Sequence, residues 1–241
     1  MQKHKHLLPI FAHQKKAILM EYTMFDTLLL LPLFQGMSKI DLTRIVEKVQ
    51  LHFMKFEDKE VIFRQGERCN KLVFLLKGDL LCETVAPCGL FSMEETFDHP
   101  MVVELHSLFG SDLTFKSTYS ARGEVSLLTI DKSYLFKMLD ASMVFRINFY
   151  NLICNRVQKQ HELTWNLKPA GLEGGIIHFI RSLCTMHKGS KLLRIRMEDL
   201  ASLLDDTRLN VSSVLNTWQD RGLIEMRRKA FVVHDLAELN S

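Results

Sequence analysis

The side chains best suited to bind a charged partner lie near the carboxyl end of the chain. Arg208 is followed closely by Asn210, Ser212 and Ser213. A guanidinium group can donate two parallel hydrogen bonds to O6 and N7 of a guanine, and amide and hydroxyl groups can bond bases or phosphates. We therefore predict a DNA-binding surface here. Its other predicted members are Arg194, Arg196, Thr207, Leu209, Arg227 and Arg228.

The spacing of apolar residues around Arg208 indicates two short helices joined by a turn. Leu200, Leu203 and Leu204 form the inner face of the first helix, and Val211, Val214, Leu215 and Trp218 form that of the second. Asp205 and Asp206 fill the turn, and Thr207 can cap the second helix by accepting a backbone N–H bond. In such a helix-turn-helix the second helix enters the major groove of DNA. The alternative is a structural helix pair with a solvated arginine.

Further elements extend this helix pair to a winged helix-turn-helix domain, which we place at residues 169–241. An alternating segment, 193–197, predicts a strand before the helices, and 222–233 predicts a hairpin with basic residues at its tip. Pro169, Ala170 and Gly171 break the preceding helical pattern, so we predict a domain boundary and hinge there.

A dimerisation helix, followed by the start of a hinge that runs from Asn166 to Gly171, is predicted over residues 137–168. Apolar and polar side chains recur there at intervals of four and three residues, which is the period of a coiled-coil seam. We therefore expect the seam to contact the same helix of a second copy. The alternative is a helix buried within its own chain. The seam residues are Met143, Ile147, Tyr150, Cys154, Val157 and His161.

Residues 25–136 show the pattern of a β domain. Short apolar runs recur at intervals of roughly ten residues, which is typical of a sandwich or barrel. Gly66, Gly78 and Gly110 lie between runs and suit tight turns. The preceding residues, 1–24, form an arm of alternating lysines and apolar groups, which predicts either a surface helix or a partner-binding segment.

Composition excludes several classes of protein. The chain has 241 residues, 47% of them hydrophobic, and a net charge of +3, which excludes a disordered chain and a polybasic membrane anchor. Its five cysteines form no CxxC pair, so neither a disulfide framework nor a thiolate zinc site is expected. We predict a cytoplasmic protein without a membrane span, a metal site or catalytic residues, since the common catalytic motifs are absent. A cupin-like enzyme and a ligand-binding module without DNA are the alternatives.

The order of these pieces resembles the Crp/Fnr family of bacterial transcription factors. The matching residues run from Leu33-Phe34, through Val61-Ile62-Phe63-Arg64-Gln65-Gly66-Glu67 and Phe74-Leu75-Leu76-Lys77-Gly78, to Asp199-Leu200-Ala201, Thr207-Arg208 and Gly222-Leu223-Ile224. The resemblance implies an α+β fold: an N-terminal double-stranded β-roll, like the jelly roll of cyclic-nucleotide-binding domains, a long dimerisation helix and a C-terminal winged helix-turn-helix. It implies a homodimeric regulator that binds a palindromic operator in double-stranded DNA, with RNA polymerase as a further partner.

The family resemblance also indicates where an effector would bind. Members that bind cyclic AMP use Gly-Glu-Leu for the ribose and Arg-Ser for the phosphate, whereas this chain has Ser111 at the glutamate position and Lys116-Ser117 at the second pair. Lysine lacks the planar fork of arginine. We therefore predict a small-molecule or redox effector other than cyclic AMP. The predicted effector pocket comprises Gly110, Ser111, Asp112, Leu113, Lys116 and Ser117.

Other sensing chemistries differ in how well the sequence supports them. Residues 1–68 contain no cysteine, so an iron–sulfur cluster near the N-terminus is not expected. Haem stays open, because several side chains are candidate axial ligands: His52, His99, His106 and His161, together with Cys82, Cys88 and the methionines. Cys82 and Cys88 form a candidate redox pair.

Overall fold

The computed structural model of this chain describes residues 26–165, 171–186 and 189–240. The predicted arm, residues 1–24, lies outside the described residues. So do residues 166–170, which make up all of the predicted hinge except Gly171. No helix in the described ranges is long and apolar enough to cross a membrane.

The amino-terminal half is built around two long antiparallel strands. Lys71 to Val85 and Thr118 to Asp131 pair along most of their lengths, and the shorter strands flank them. The strands are β1 (His52–Phe56), β2 (Val61–Phe63), β3 (Lys71–Val85), β4 (Phe91–Phe97), β5 (Met101–Val103) and β6 (Thr118–Asp131). Their buried sides enclose one apolar core that includes Phe34, Phe74 and Leu128. The predicted fold class, an α+β chain with a β-roll-like antiparallel domain, is confirmed.

The helices of this half close the ends of the core. They are α1 (Lys39–Val46), α2 (Lys132–Ala141) and α3 (Met143–Trp165), with short 3₁₀ turns at Pro32–Phe34 and Leu105–Leu108. The predicted dimerisation segment begins at 137, inside α2, whereas the long helix begins at Met143. The reason is Ser142, whose extended backbone (φ −141°, ψ 121°) separates the two helices.

The carboxy-terminal half contains the predicted helix pair and hairpin. Its elements are α4 (Gly171–Leu183), β7 (Lys191–Ile195), α5 (Met197–Leu204), α6 (Arg208–Asp220), β8 (Ile224–Arg227), β9 (Ala230–Val233) and a 3₁₀ turn (Glu238–Asn240). The indole of Trp218 is fully buried at the centre of this half, and its N–H donates to Glu173 Oε1 at 2.6 Å. Helices α4, α5 and α6 thus pack around one second core.

One sheet runs through both halves. Its strand order is β1-β6-β3-β4-β7-β9-β8, with β2 paired to β6 and β5 to β3. The link is the antiparallel pairing of β4 with β7, from Phe91 opposite Ile195 to Glu95 opposite Lys191. The two halves are therefore joined by a hydrogen-bonded strand pair in addition to the chain between α3 and α4.

Gly78 permits the bend that lets β3 follow β6. Its φ of +93° lies in the left-handed region, and the register of the two strands shifts on either side of it. A Cβ atom at this position would lie 2.2 Å from the carbonyl oxygen of Glu124. Only glycine fits here, because the neighbour is backbone and cannot rotate away.

We predict that Gly78→Ala destabilises the fold by about 2 kcal/mol or more, since it combines backbone strain with a steric clash. Gly123→Ala is the matched control: φ there is +73°, but nothing lies within 4 Å of the added methyl group. The free energy of unfolding in urea should fall clearly further for Gly78→Ala than for the control. Equal losses would show that the close approach to Glu124 is unimportant.

Candidate nucleic-acid interface

The turn between α5 and α6 fixes the direction of α6. Asp205 ends α5 in the left-handed conformation (φ 55°, ψ 47°), which aspartate tolerates better than most residues. Thr207 then caps α6, because its hydroxyl oxygen accepts from the backbone N–H of Asn210 at 3.2 Å. On the opposite side of α6, Val211, Leu215 and Trp218 are buried in the core of this half. The helix is thus held by one face and capped at its first turn.

The first turn of α6 presents its other face to solvent. Arg208, Asn210 and Ser213 are exposed and Ser212 is half-buried. Leu209 is 82% exposed, an unusual position for a large apolar side chain. The amide of Asn210 donates to Asp206 Oδ1 at 2.7 Å, so this side chain belongs to the turn. The face available for contact is therefore formed mainly by Arg208, Leu209 and Ser213.

Four basic side chains lie next to this face. A surface depression of about 230 Å³ is lined by residues of α5, α6 and the hairpin of β8 and β9. Its basic members are Arg196, Arg208, Arg227 and Lys229. Arg228 is exposed in the turn of the same hairpin. The structure thus gathers most of the predicted DNA-binding arginines on one side of the domain.

Each of these arginines except Arg228 is paired with a carboxylate. Four arginines make five ion pairs: Arg194 with Glu83 and Glu94, Arg196 with Asp199, Arg208 with Glu198 and Arg227 with Glu225. Hydrogen bonds to these partners raise the pKa of Arg196 and Arg227, and lower that of Glu225. Sequence reasoning counted the arginines but not their partners. The adjacent acids at 198–199 and 225 were the available signal.

Arg194 differs from the other arginines in where its partners lie. Its guanidinium contacts Glu83 at 3.1 Å and Glu94 at 2.7 Å, and both belong to strands of the amino-terminal half. It is thus directed toward the β domain, away from the depression that contains Arg208.

The predicted seam residues lie on the exposed side of α3. Met143, Ile147, Tyr150 and Val157 are between 49% and 68% exposed, and Cys154 and His161 are exposed as well. Phe145 and Phe149, on the opposite side, are buried against the β domain. The helix therefore has one apolar face inside the chain and another in solvent.

The predicted effector residues are not brought together. Lys116 and Ser117 line a cavity of about 340 Å³ between the β domain, α3 and the carboxy-terminal half. Gly110, Ser111, Asp112 and Leu113 do not line it, because their loop turns toward solvent, where Asp112 pairs with Lys116. The other lining residues are Pro32, Thr84, Phe97, Met101, Val102, Glu104, Leu105, His106, Tyr119, Leu152, Ile153, Arg156, Leu183 and Thr185.

Glu104 is one of the cavity residues that sequence reasoning missed. Its carboxylate is buried and accepts from the backbone N–H of Lys116 at 2.8 Å, the hydroxyl of Ser107 at 2.7 Å and the hydroxyl of Tyr119 at 3.0 Å. Its backbone is left-handed (φ 40°), a conformation that costs energy for a residue with a side chain. These hydrogen bonds offset that cost, since a buried carboxylate needs donors. Burial raises the pKa of Tyr119 well above its ordinary value.

The candidate sensing residues are dispersed. His106 alone of the four candidate histidines lines the cavity, and burial together with Arg156 lowers its pKa. Cys82 and Cys88 are both free thiols, and burial raises the pKa of Cys82 to about 11. A thiol with that pKa is almost wholly protonated at neutral pH and therefore unreactive. In the described part of the chain, no three His, Cys, Asp or Glu side chains are grouped so as to hold a metal ion.

Comparison with known proteins identifies the type of domain in the carboxy-terminal part of the chain. The model of the Crp-like helix-turn-helix domain matches residues 176–241. No curated protein matches the chain. For these residues the match confirms the resemblance to Crp/Fnr regulators that the sequence indicated.

Three of the solved structures to which this chain is similar have TM-scores of 0.45 or 0.46. The catabolite activator protein of Thermus thermophilus is 17% identical (TM-score 0.45) and covers 87% of this chain and 96% of its own. FixK2 of Bradyrhizobium japonicum is 12% identical (TM-score 0.45), with 80% and 96% covered. The sensor domain of the transcriptional regulator DNR of Pseudomonas aeruginosa is 15% identical (TM-score 0.46), with 59% and 99% covered.

We predict that Thr207→Ala destabilises the carboxy-terminal domain by about 1 kcal/mol, because the N–H of Asn210 loses its acceptor at the start of α6. Thr207→Ser keeps the hydroxyl oxygen and should retain most of the stability. Urea unfolding followed by the fluorescence of Trp218 reports this domain directly, in a background where Trp165 is replaced by Phe. Equal stability of the alanine and serine variants would contradict the capping role.

Proposed function

Since residues 176–241 are a Crp-like helix-turn-helix domain, we propose that the chain is a homodimeric, sequence-specific DNA-binding regulator of transcription of the Crp/Fnr type, controlled by a small molecule other than cyclic AMP. The observation that carries the proposal is the capped helix α6. It exposes Arg208 and Leu209 at its first turn and is anchored by Trp218 at its back.

The first turn of α6 has the chemistry to distinguish bases. Arg208 suits the O6 and N7 acceptors of a guanine. Leu209 has no polar atom beyond its backbone, and the apolar group that the major groove offers is the methyl of thymine. We therefore expect each half-site to contain a guanine contacted by Arg208 and a neighbouring thymine contacted by Leu209.

The ion pairs around α6 do not prevent this contact. Arg208 and Glu198 are 3.3 Å apart, but their side chains are 67% and 61% exposed. An ion pair in that environment contributes between zero and about 1 kcal/mol. Arg208 therefore loses little free energy when it leaves Glu198 to contact a guanine.

The exposed face of α3 supports the homodimer. Apolar seams are rarely left in water over the length of a helix, and the spacing of this one matches pairing with an identical helix. A two-fold dimer presents two copies of α6 in opposite directions. Its operator should therefore be an inverted repeat with half-sites about one helical turn apart.

The cavity argues against cyclic AMP as effector. In the resembled family the Arg-Ser pair holds the phosphate, and here the backbone N–H of Lys116, at the matching position, donates to the carboxylate of Glu104. The hydroxyl of Ser117 is hydrogen-bonded to Thr84 at 2.6 Å. A phosphate placed there would meet a buried carboxylate of the same charge, which is unfavourable.

Haem sensing is the second candidate, and His106 favours it. This imidazole lines the cavity, and its lowered pKa favours the neutral form, the form that binds iron. Adding haem to the protein under anaerobic conditions distinguishes the two candidates. A Soret band that His106→Ala abolishes would support haem, whereas an unchanged spectrum of free haem leaves a different small molecule.

We predict that full-length protein selects an inverted repeat from random DNA, and that Arg208→Ala lowers affinity for that operator by about 1–3 kcal/mol, through loss of one guanine contact. Arg221→Ala, at the other end of α6, is the matched control and should bind like the parent. A steep decrease in affinity with salt should accompany binding, since phosphates are neutralised.

Failure to enrich any sequence, or unchanged operator discrimination by Arg208→Ala, would contradict the proposal. A selected site without two-fold symmetry would contradict the homodimer alone. Transcription with RNA polymerase in vitro from the selected operator then tests whether the polymerase is a partner, and whether the outcome is activation or repression.

We further predict that calorimetric titration with cyclic AMP detects no binding at up to about 1 mM, because Glu104 already occupies the donors that a phosphate would need. The variant in which Glu104 is replaced by Gln removes the negative charge and keeps hydrogen-bonding atoms, so it is the informative comparison. Micromolar binding to the parent protein would contradict this prediction.

A further inference from the structure

We propose that the described conformation is an autoinhibited form, in which the DNA-binding domain is docked on the β domain and Arg194 is withheld from DNA. The docking surface is the free side of β4, and its occupant is strand β7 of the same chain. This inference rests on the proposed function, because it concerns how the DNA-binding surface is controlled.

The docking begins with a strand pair. β4 and β7 are hydrogen-bonded over five residue pairs. Side chains of β4 also enter the core of the other half: Met93 is buried there, and the ring of Phe91 contacts that of Phe179 edge-on with centroids 5.2 Å apart. The two halves therefore share a hydrogen-bonded sheet and a continuous apolar contact.

A buried ion pair fixes the register of this docking. Glu95 Oε1 and Lys191 Nζ are 3.4 Å apart, and the two side chains are only 4% and 1% exposed. The same carboxylate accepts from the backbone N–H groups of Thr185 at 2.8 Å and Met186 at 3.2 Å. Sliding β7 by one residue would bury both charges without partners, so the pair permits a single register.

Docking prevents Arg194 from contacting DNA. Its guanidinium bonds both Glu83 and Glu94, and the turn at residues 86–90 lies beside it. A second depression, lined by Gly89, Leu90, Arg194, Arg196 and Lys229 among others, brings this turn against the basic side of the winged domain. A DNA backbone approaching Arg194 would meet two carboxylates and this turn.

The cavity offers a way to release the docking. Thr185 lines the cavity, donates its N–H to Glu95 and accepts from Lys159 Nζ through its carbonyl oxygen at 2.6 Å. Leu183 lines the same cavity from the carboxy-terminal half. A ligand that needs more room than about 340 Å³ would displace these residues, and with them the partners of Glu95. It would thereby favour the undocked form, to which it binds better.

The test uses a reversible cross-link across the docked strands. Glu94 and Leu192 are directly opposite each other, and paired residues in an antiparallel sheet lie within disulfide range. The double variant Glu94→Cys, Leu192→Cys is made in full-length protein whose exposed Cys88 and Cys154 are replaced by Ser. Its affinity for the selected operator is measured after oxidation and after reduction.

We expect the oxidised protein to bind operator DNA at least about tenfold more weakly than the reduced protein, with recovery when reductant is added. Equal affinity of the two forms would overturn the proposal and leave the regulator function standing. Failure of the disulfide to form would also overturn it, since the strands would then not be paired. If the reduced protein binds no selected DNA, the proposed function itself fails, and this inference with it.

A second variant weakens the docking of β7 on β4, whereas the disulfide locks it. Glu95→Gln leaves Lys191 buried without its counter-charge, so amide hydrogen exchange in β7 should accelerate at least about tenfold and operator affinity should rise. Glu124→Gln is the matched control, because it removes a carboxylate from an exposed ion pair with Lys55, and both of these residues lie on strands other than β4 and β7. Faster exchange without any gain in affinity would show that docking does not inhibit DNA binding.

Discussion

A buried carboxylate needs hydrogen-bond donors or a counter-charge around it. At Glu95 this requirement determines how the two halves of the chain lie against each other. Its partners come from the carboxy-terminal half: the ammonium group of Lys191 and the N–H groups of Thr185 and Met186. Because two charges are buried together, the structure can leave this arrangement only by separating the strands and hydrating both groups. The β domain and the helix-turn-helix domain are therefore either docked with this ion pair formed, or separated with both charged groups in water.

The same constraint acts at Glu104 with a different result. There the donors are backbone and hydroxyl groups of the β domain itself, so the carboxylate needs no ligand and no second domain. A cavity whose anion site is already filled by a side chain favours ligands that use its apolar walls instead. In the proposed regulator, Glu104 thus determines which class of ligand the cavity accepts, and Glu95 determines which contacts that ligand displaces. Thr185, which contacts both the cavity and Glu95, connects them.

Prediction from sequence succeeded where the signal is local. The helix pair was recognised from apolar residues three and four positions apart and from the cap at Thr207, and all of these lie within about twenty residues. The pairing of β4 with β7 joins positions some hundred residues apart, and no residue pattern in either strand indicates which strand it pairs with. Lys191 was missed for the same reason, because a lysine beside an alternating strand is ordinarily solvated. Glu104 reaches Lys116 and Tyr119, twelve and fifteen residues away, only because its own backbone is left-handed. No sequence pattern predicts that conformation.

The modest net charge of +3 acquires a physical meaning from these contacts. Arg194, Arg196, Arg208 and Arg227 each face a carboxylate, so the field that attracts DNA from a distance is weak. In the proposed homodimer, such a surface binds non-specific DNA poorly and depends on base contacts and on two copies of α6 acting together. Undocking adds one unopposed arginine per copy, since only Arg194 has its partners on the β domain. A change in domain position therefore becomes a change in charge at the DNA surface.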